Sequence, residues 1–188
     1  SASWKASLPS MGVMVCPALR CSLTGREGGC LFVAIRGEGT TAVSLTGGES
    51  ATARVARDTR PESWRFAESV EAAHGNPELQ RRVAEAAGIH EDSLRLDSQA
   101  KYGVVARGDA VLYLRLPSTS QPDYREKIWD HAAGSIVVEE AGGTTSDMRG
   151  RPLDFTSGLT MDSCRGVVVS NGQIHDAVIE ALAGAAEA

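Results

Sequence analysis

The hydrophobic pattern changes rhythm near Pro61, and this change restricts the available folds more than any other feature of the chain. Before Pro61, short apolar runs at 11–15 (MGVMV), 31–35 (LFVAI) and 40–45 (TTAVSL) are separated by glycine-rich turns, and Gly37-Glu38-Gly39 stands where a hairpin would reverse. Residues 1–60 therefore predict antiparallel strands. After Pro61, strand and helix signals alternate. Residues 65–70 (RFAESV) read as a strand. Asn76 then caps a helix with Pro77 at its first position, with Leu79, Val83 and Ala87 on one face and Gly88 as the stop. A strand at 94–96 (LRL), a helix at 98–107 (SQAKYGVVAR) and a strand at 111–117 (VLYLRLP) follow, the last ended by Pro117. Residues 128–143 (IWDHAAGSIVVEEAGG) predict a helix with a Gly142-Gly143 cap. Residues 166–170 (GVVVS) are a short buried strand, and a last helix aligns Ile174, Val178 and Leu182. The expectation is an α/β fold in two domains. Residues 61–188 form a mostly parallel sheet flanked by helices, and residues 1–60 are the antiparallel strands of a preceding α+β unit.

Composition narrows the function classes. The 188 residues are 42% hydrophobic and 23% charged, the balance of a soluble globular domain. A formal net charge of -5 argues against a general binder of nucleic acid or of membrane surfaces, which need a basic excess. Any polyanion must then be met by a local cluster. No apolar run approaches the roughly 18 residues of a membrane span, and residues 1–10 lack the apolar stretch of a secretory signal. A soluble intracellular protein, in the cytoplasm or an organelle, is expected. Cys16, Cys21, Cys30 and Cys164 contain no C-x-x-C pair and match structural zinc spacing poorly. They read as reduced thiols, with a reversible bridge among the first three as the alternative.

Ligands of such sheets collect at the carboxyl ends of strands, where helix N-termini offer free N–H groups. Two segments are built that way. In Asp97-Ser98-Gln99-Ala100-Lys101, Ser98 can cap the helix while Lys101 lies one turn later on the same face. A hydroxyl and an ammonium then converge as in a phosphate site, although a capping serine beside a solvated lysine has the same pattern. The S-x-x-K spacing without S-D-N or K-T-G excludes a β-lactamase-type reading. In Trp129-Asp130-His131-Ala132-Ala133-Gly134, Asp130 falls at a helix N-terminus, where a carboxylate is comfortable without any function. The small residues after it leave room for a metal and a phosphate. Arg115 shares one strand face with Val111 and Tyr113, and it either forks onto a phosphate or pairs with a carboxylate at a sheet edge. His74, in the loop 71–75, is by default an exposed imidazole, and His90-Glu91 lacks the second His of a zincin.

In this order, DSQAKYG (97–103), VLYLRLP (111–117), YREKIWDHAAG (124–134), EEAGG (139–143) and PLDF (152–155) resemble the 3'(2'),5'-bisphosphate nucleotidases. These form a branch of the inositol monophosphatase superfamily of Mg2+-dependent, lithium-sensitive phosphatases. The W-D-x-A-A-G element is shared across the superfamily, whereas DSQAKY and YREKIWDHAAG are specific to the nucleotidases. The resemblance implies that Asp130 is a catalytic Mg2+ ligand and that His74, Ser98, Lys101 and Arg115 contact a small-molecule nucleotide bisphosphate. The implied reaction converts adenosine 3',5'-bisphosphate to AMP and phosphate, with 3'-phosphoadenylyl sulfate as a second substrate. The family's Glu-Glu pair and Asp-Pro-Ile-Asp-Gly-Thr element are absent from this sequence, which corresponds to about the second half of a family protein. Metal-assisted phosphoryl transfer depends on that acidic cluster, so weak activity of the chain alone is expected. A silent nucleotide-binding module and an inositol-phosphate phosphatase are the alternatives. Strands 11–45 would also have unpaired edges, favouring self-association or a partner chain.

Overall fold

Side chains alternate in β1 (Met11–Cys16), so Gly12, Met14 and Cys16 turn inward while Met11, Val13 and Val15 face out. In the computed structural model, which describes residues 8–25, 27–58, 60–70, 76–118, 121 and 123–186, this strand is one edge of an antiparallel sheet. β2 (Cys30–Ile35), β3 (Gly39–Ser44) and β4 (Ser50–Ala53) complete it in the order β1-β2-β3-β4. Met11 lies opposite Ile35 and Cys16 opposite Cys30. The β2–β3 turn forms where the glycines predict it, with Gly37 and Gly39 at φ 86° and 88°. Both glycine amides donate to the Glu140 carboxylate at 3.0 Å, and Arg36 pairs with Glu139 at 2.8 Å. The hairpin thereby clasps the C-terminal end of α3 (Ala132–Glu140), against which the inner face of the sheet packs. Gly12 permits the close approach, because a Cβ there would lie 2.4 Å from Ile136 Cγ2 and 2.9 Å from the Ala133 carbonyl oxygen.

The second half builds β5 (Phe66–Glu68), α1 (Pro77–Ala86), β6 (Leu94–Arg95), α2 (Ala100–Ala106) and β7 (Leu112–Arg115). After α3 come β8 (Thr144–Ser146), β9 (Val167–Ser170) and α4 (His175–Ala186). As the sequence predicts, Asn76 Oδ1 accepts from the Leu79 amide at 3.1 Å and Pro77 opens α1. The sheet order is β6-β5-β7-β9-β8. β5 runs parallel to β6 and β7, whereas β9 is antiparallel to both β7 and β8. The expectation of a mostly parallel sheet is thus corrected to a mixed one. All four residues of β9 are buried, and a continuous apolar run reports burial on both faces without reporting direction. β8, made of polar Thr144-Thr145-Ser146, is an edge strand that the sequence pattern does not predict, since it has no apolar period.

Helices cover both faces of this sheet. Ala67, Tyr113, Val167 and Val169 join α2, α3 and the inner face of β1–β4 in one core cluster. Phe66, Leu112, Leu114 and Val168 join α1 and α4 in another. α3 therefore lies between the two sheets. No helix among the described residues is long and apolar enough to cross a membrane. The cysteines are free thiols, all buried, and Cys30 Sγ lies 3.2 Å from Cys21 Sγ. Burial first, then the contact with Cys21, pushes the Cys30 thiol up to about 12.

His175, buried at the start of α4, lies between two hydroxyls: Ser146 Oγ is 2.8 Å from Nε2 and Ser170 Oγ 2.9 Å from Nδ1. Ser146 donates its own hydrogen to the Asp147 carbonyl, so Nε2–H donates to Ser146 and Nδ1 accepts from Ser170. Protonation would place a second donor against the Ser170 hydroxyl. Burial also holds the imidazole below its usual 6.5. A base with a depressed folded pKa contributes its full stability above 6.5 and loses it as pH falls toward the folded value. Stability is expected to fall by up to about 1.4 kcal/mol per pH unit as pH drops below 6.5. Urea midpoints of wild type and His175→Gln test this: the variant's profile is flatter in that window, and parallel profiles would refute the assignment.

Candidate active site

The chain brings three of the expected residues to one place. Ser98, Arg115 and Asp130 line a single cavity of about 280 Å3, whose wall is completed by Gln99, Tyr102, Tyr113, Glu126 and His131. β7 sets Arg115 by alternation: Leu112 and Leu114 enter the α1/α4 layer, so Tyr113 and Arg115 point toward α2 and α3. β7 is the third of five strands, which places Arg115 away from either sheet edge. Of the two readings of this guanidinium, carboxylate pairing is observed, with Nε donating to Glu126 Oε1 at 3.1 Å. Burial would raise the Glu126 carboxyl, but the hydrogen bond from His131 and the charge of Arg115 outweigh it and hold the group below the usual carboxylate range.

Ser98 does not cap α2 as expected. The helix starts at Ala100 with Gln99 as its N-cap residue, and the Ser98 hydroxyl is 3.4 Å from the Ala100 amide. Ser98 has φ 60°, the only non-glycine residue with positive φ among those described. Such backbone costs on the order of 1 kcal/mol or more and is found at ligand-binding turns. Lys101 also departs from expectation. The late helix start turns it into the core, where it is 4% exposed. Its Nζ donates to the Leu96 carbonyl at 3.2 Å and lies 5.3 Å from the centre of the Tyr113 ring. Burial lowers the ammonium to about 8, opposed by Asp97. Ser98 and Lys101 therefore do not converge on one point; the lysine sits behind the wall. His74 lies outside the described residues.

The predicted helix at 128–143 is two pieces. A single 3-10 turn, Ile128–Asp130, precedes α3, and His131, at φ -131° and ψ -33°, separates them. Asp130 ends that turn, exposed, and its carboxylate has no hydrogen bond or ion pair among the described residues. The small residues after it serve packing. A Cβ on Gly134 would stand 2.4 Å from Tyr102 Cγ, so the glycine makes room for that ring and not for a ligand. Gln99 Nε2 donates to the Trp129 carbonyl at 3.1 Å, and its buried Oε1 has no donor among the described residues.

Three wall residues escaped the sequence reading. Tyr102, Glu126 and His131 form a buried hydrogen-bonded set, with Tyr102 Oη 2.7 Å from His131 Nδ1 and His131 Nε2 3.0 Å from Glu126 Oε2. Glu126 and His131 are five residues apart across an irregular segment, where no helical or strand period relates them. A larger cavity of about 440 Å3 between α1, β5 and the 89–93 segment presents Glu68, Glu78, Glu85, Glu91 and Asp92 against Arg81, a poor setting for an anion. Among the described residues no group of three or more His, Cys, Asp or Glu side chains is arranged to hold a metal ion.

The family model of the inositol monophosphatase family matches residues 5–187. The chain belongs to the inositol monophosphatase family. Within it, the chain is 41% identical over 180 residues to a 3'(2'),5'-bisphosphate nucleotidase of Oryza sativa, covering 92% of this chain and 49% of the relative. It is 44% identical over 162 residues to a 3'(2'),5'-bisphosphate nucleotidase of Emericella nidulans, covering 85% and 46%. This chain is thus a homologue of the bisphosphate nucleotidases and spans about half the length of the curated relatives it matches. Among solved structures, an inositol monophosphatase from Anabaena (Nostoc) sp. PCC 7120 superposes with a TM-score of 0.55 at 20% identity, over 82% of this chain and 57% of that one. That likeness carries the family fold.

Proposed function

We propose that this chain contributes the nucleotide-holding half of a Mg2+-dependent phosphatase that removes the 3'-phosphate of adenosine 3',5'-bisphosphate to give AMP. 3'-Phosphoadenylyl sulfate is a second substrate. One observation carries the reading: a guanidinium, a hydroxyl and a carboxylate without a hydrogen-bond or ion-pair partner among the described residues share one cavity. Arg115, steadied by Glu126, offers N–H groups to phosphate oxygens, and Ser98 donates its hydroxyl. Lys101 adds positive charge from behind Tyr113 without touching the ligand. His74 is assigned to the nucleotide by family resemblance. Mg2+ commonly takes one or two carboxylates plus waters and phosphate oxygens. Asp130 fits one such position, and Glu126, already engaged by Arg115 and His131, fits none. Bound Mg2+ would supply charge neutralisation and a more acidic water.

A second reading, a nucleotide-binding module without turnover, is favoured by the commitment of Glu126, which leaves Asp130 as the available carboxylate of the cavity. Calorimetry with adenosine 3',5'-bisphosphate, alongside phosphate release, separates the two. Under the first reading Mg2+ tightens binding, Asp130→Asn removes about tenfold of that tightening, and release by this chain is slow. Binding indifferent to Mg2+ and to the substitution, with no release, favours the module. Preference for an inositol monophosphate would overturn both.

A further inference from the structure

The buried wall of the cavity carries an unbroken hydrogen-bonded chain running from Arg115 through Glu126 to His131 and Tyr102, and the proposed chemistry uses only its Arg115–Glu126 end. Its direction follows from the groups. Ionised Glu126 can only accept, so His131 Nε2 carries the hydrogen and Nδ1 accepts from the Tyr102 hydroxyl. The imidazole, 2% exposed, is held at both nitrogens by residues from different elements, Tyr102 on α2 and Glu126 before the 3-10 turn. A ring held at both ends in a packed interior has one rotamer. His131 also stands at the backbone break between the turn and α3, where the His131 amide reaches the Ile128 carbonyl at 3.2 Å and its carbonyl accepts from Ser135 at 2.8 Å. The angle of that break sets how the turn that carries Asp130 lies relative to α3. On the other side of Asp130, Gln99 holds the Trp129 carbonyl.

We propose that His131 is a positioning residue: pinned between Tyr102 and Glu126, it fixes the direction of the Asp130 carboxylate and, through Glu126, ties that direction to the Arg115 guanidinium. This rests on the reading that the cavity takes a phosphate at Arg115 and a cation at Asp130. A cation shared between a protein carboxylate and a phosphate needs both partners in fixed relation, and among the described residues the Asp130 carboxylate has no hydrogen bond or ion pair to provide it.

The test uses His131→Leu, which removes both hydrogen bonds, His131→Gln, which retains a donor able to reach Glu126, and Tyr102→Phe, which deletes one hydroxyl. In the ligand-free chain, the 15N order parameter of the Asp130 amide is expected to fall from about 0.85 to about 0.6 in His131→Leu. Gln is expected to restore most of it, and Tyr102→Phe to fall between. An unchanged order parameter overturns the proposal whether or not the cavity binds anything. With adenosine 3',5'-bisphosphate and Mn2+ as probes, His131→Leu is expected to weaken binding about tenfold, and adding Asp130→Asn to bring no further loss, as for two changes in one interaction. Additive losses overturn the coupling. If the wild type binds neither probe, the functional reading fails while the relaxation result still decides the positioning. If His131→Leu does not unfold cooperatively, Tyr102→Phe supplies both outcomes.

Discussion

Replacing Gly134 with alanine is expected to cost about 3 kcal/mol of folding stability, the upper end of the range for overpacked cores. The added methyl would meet Tyr102 Cγ at 2.4 Å, Cδ2 at 2.5 Å and Cδ1 at 2.7 Å, so it strikes the ring body and not a flexible tip. The ring has nowhere to retreat. Its hydroxyl is tied to His131 at 2.7 Å, and it packs edge-on against Tyr113 at 5.3 Å between centroids. Relief must come from moving α2 away from α3, which opens the core cluster that both helices share. Urea denaturation measures the effect, and a loss below about 1 kcal/mol would show that the two helices yield more easily than this packing implies.

Glu126→Ala is expected to cost a similar amount, about 3 kcal/mol, by a different route. The carboxylate is the shared acceptor for Arg115 Nε and His131 Nε2, and both it and the imidazole are more than nine-tenths buried. Deletion strands the His131 ring nitrogen in a dry interior. Arg115 is less affected, since about a quarter of its side chain reaches solvent, and this keeps the expectation at the low end for a broken buried pair. Glu126→Gln preserves shape and one acceptor, so it is expected to lose less than half as much. Equal losses in the two variants would mean that volume, not hydrogen bonding, sets the cost. Chemical denaturation at pH 7 decides between them.

The sequence was most readable where one periodicity governs one face. The apolar runs that become β1, β2 and β3, the Asn76-Pro77 start of α1 and the opposite faces of Leu112, Leu114 and Tyr113 in β7 all appear in the structure, because each depends on neighbours within a few residues, whereas Val111, read on the Tyr113 face, joins the leucine layer. Direction of pairing was not readable. β9 is flanked on both sides, and nothing in Val167-Val168-Val169 distinguishes a parallel partner from an antiparallel one. At the site, Ser98, Arg115 and Asp130 were legible as polar groups at element ends, and they line one cavity. Lys101 faces the core and not the ligand side: the helix begins at Ala100, two residues later than the pattern predicts. Glu126 and His131 were invisible because their partnership is made by a break in the backbone at residue 131, and no local propensity announces such a break.

The clasp between the β2–β3 hairpin and α3 has a consequence for the order in which the molecule can assemble. The Thr40 hydroxyl donates to the Val137 carbonyl, 97 residues away, and the Gly37 amide reaches Glu140 across 103. On a ribosome, all four strands of the first sheet emerge before any part of α3 exists. Their inner face, including Met14 and Phe32, has its lid only after residue 140 has been made. Synthesis therefore passes through a long interval in which a finished set of strands waits with its apolar side uncovered, the circumstance in which nascent chains most depend on chaperones.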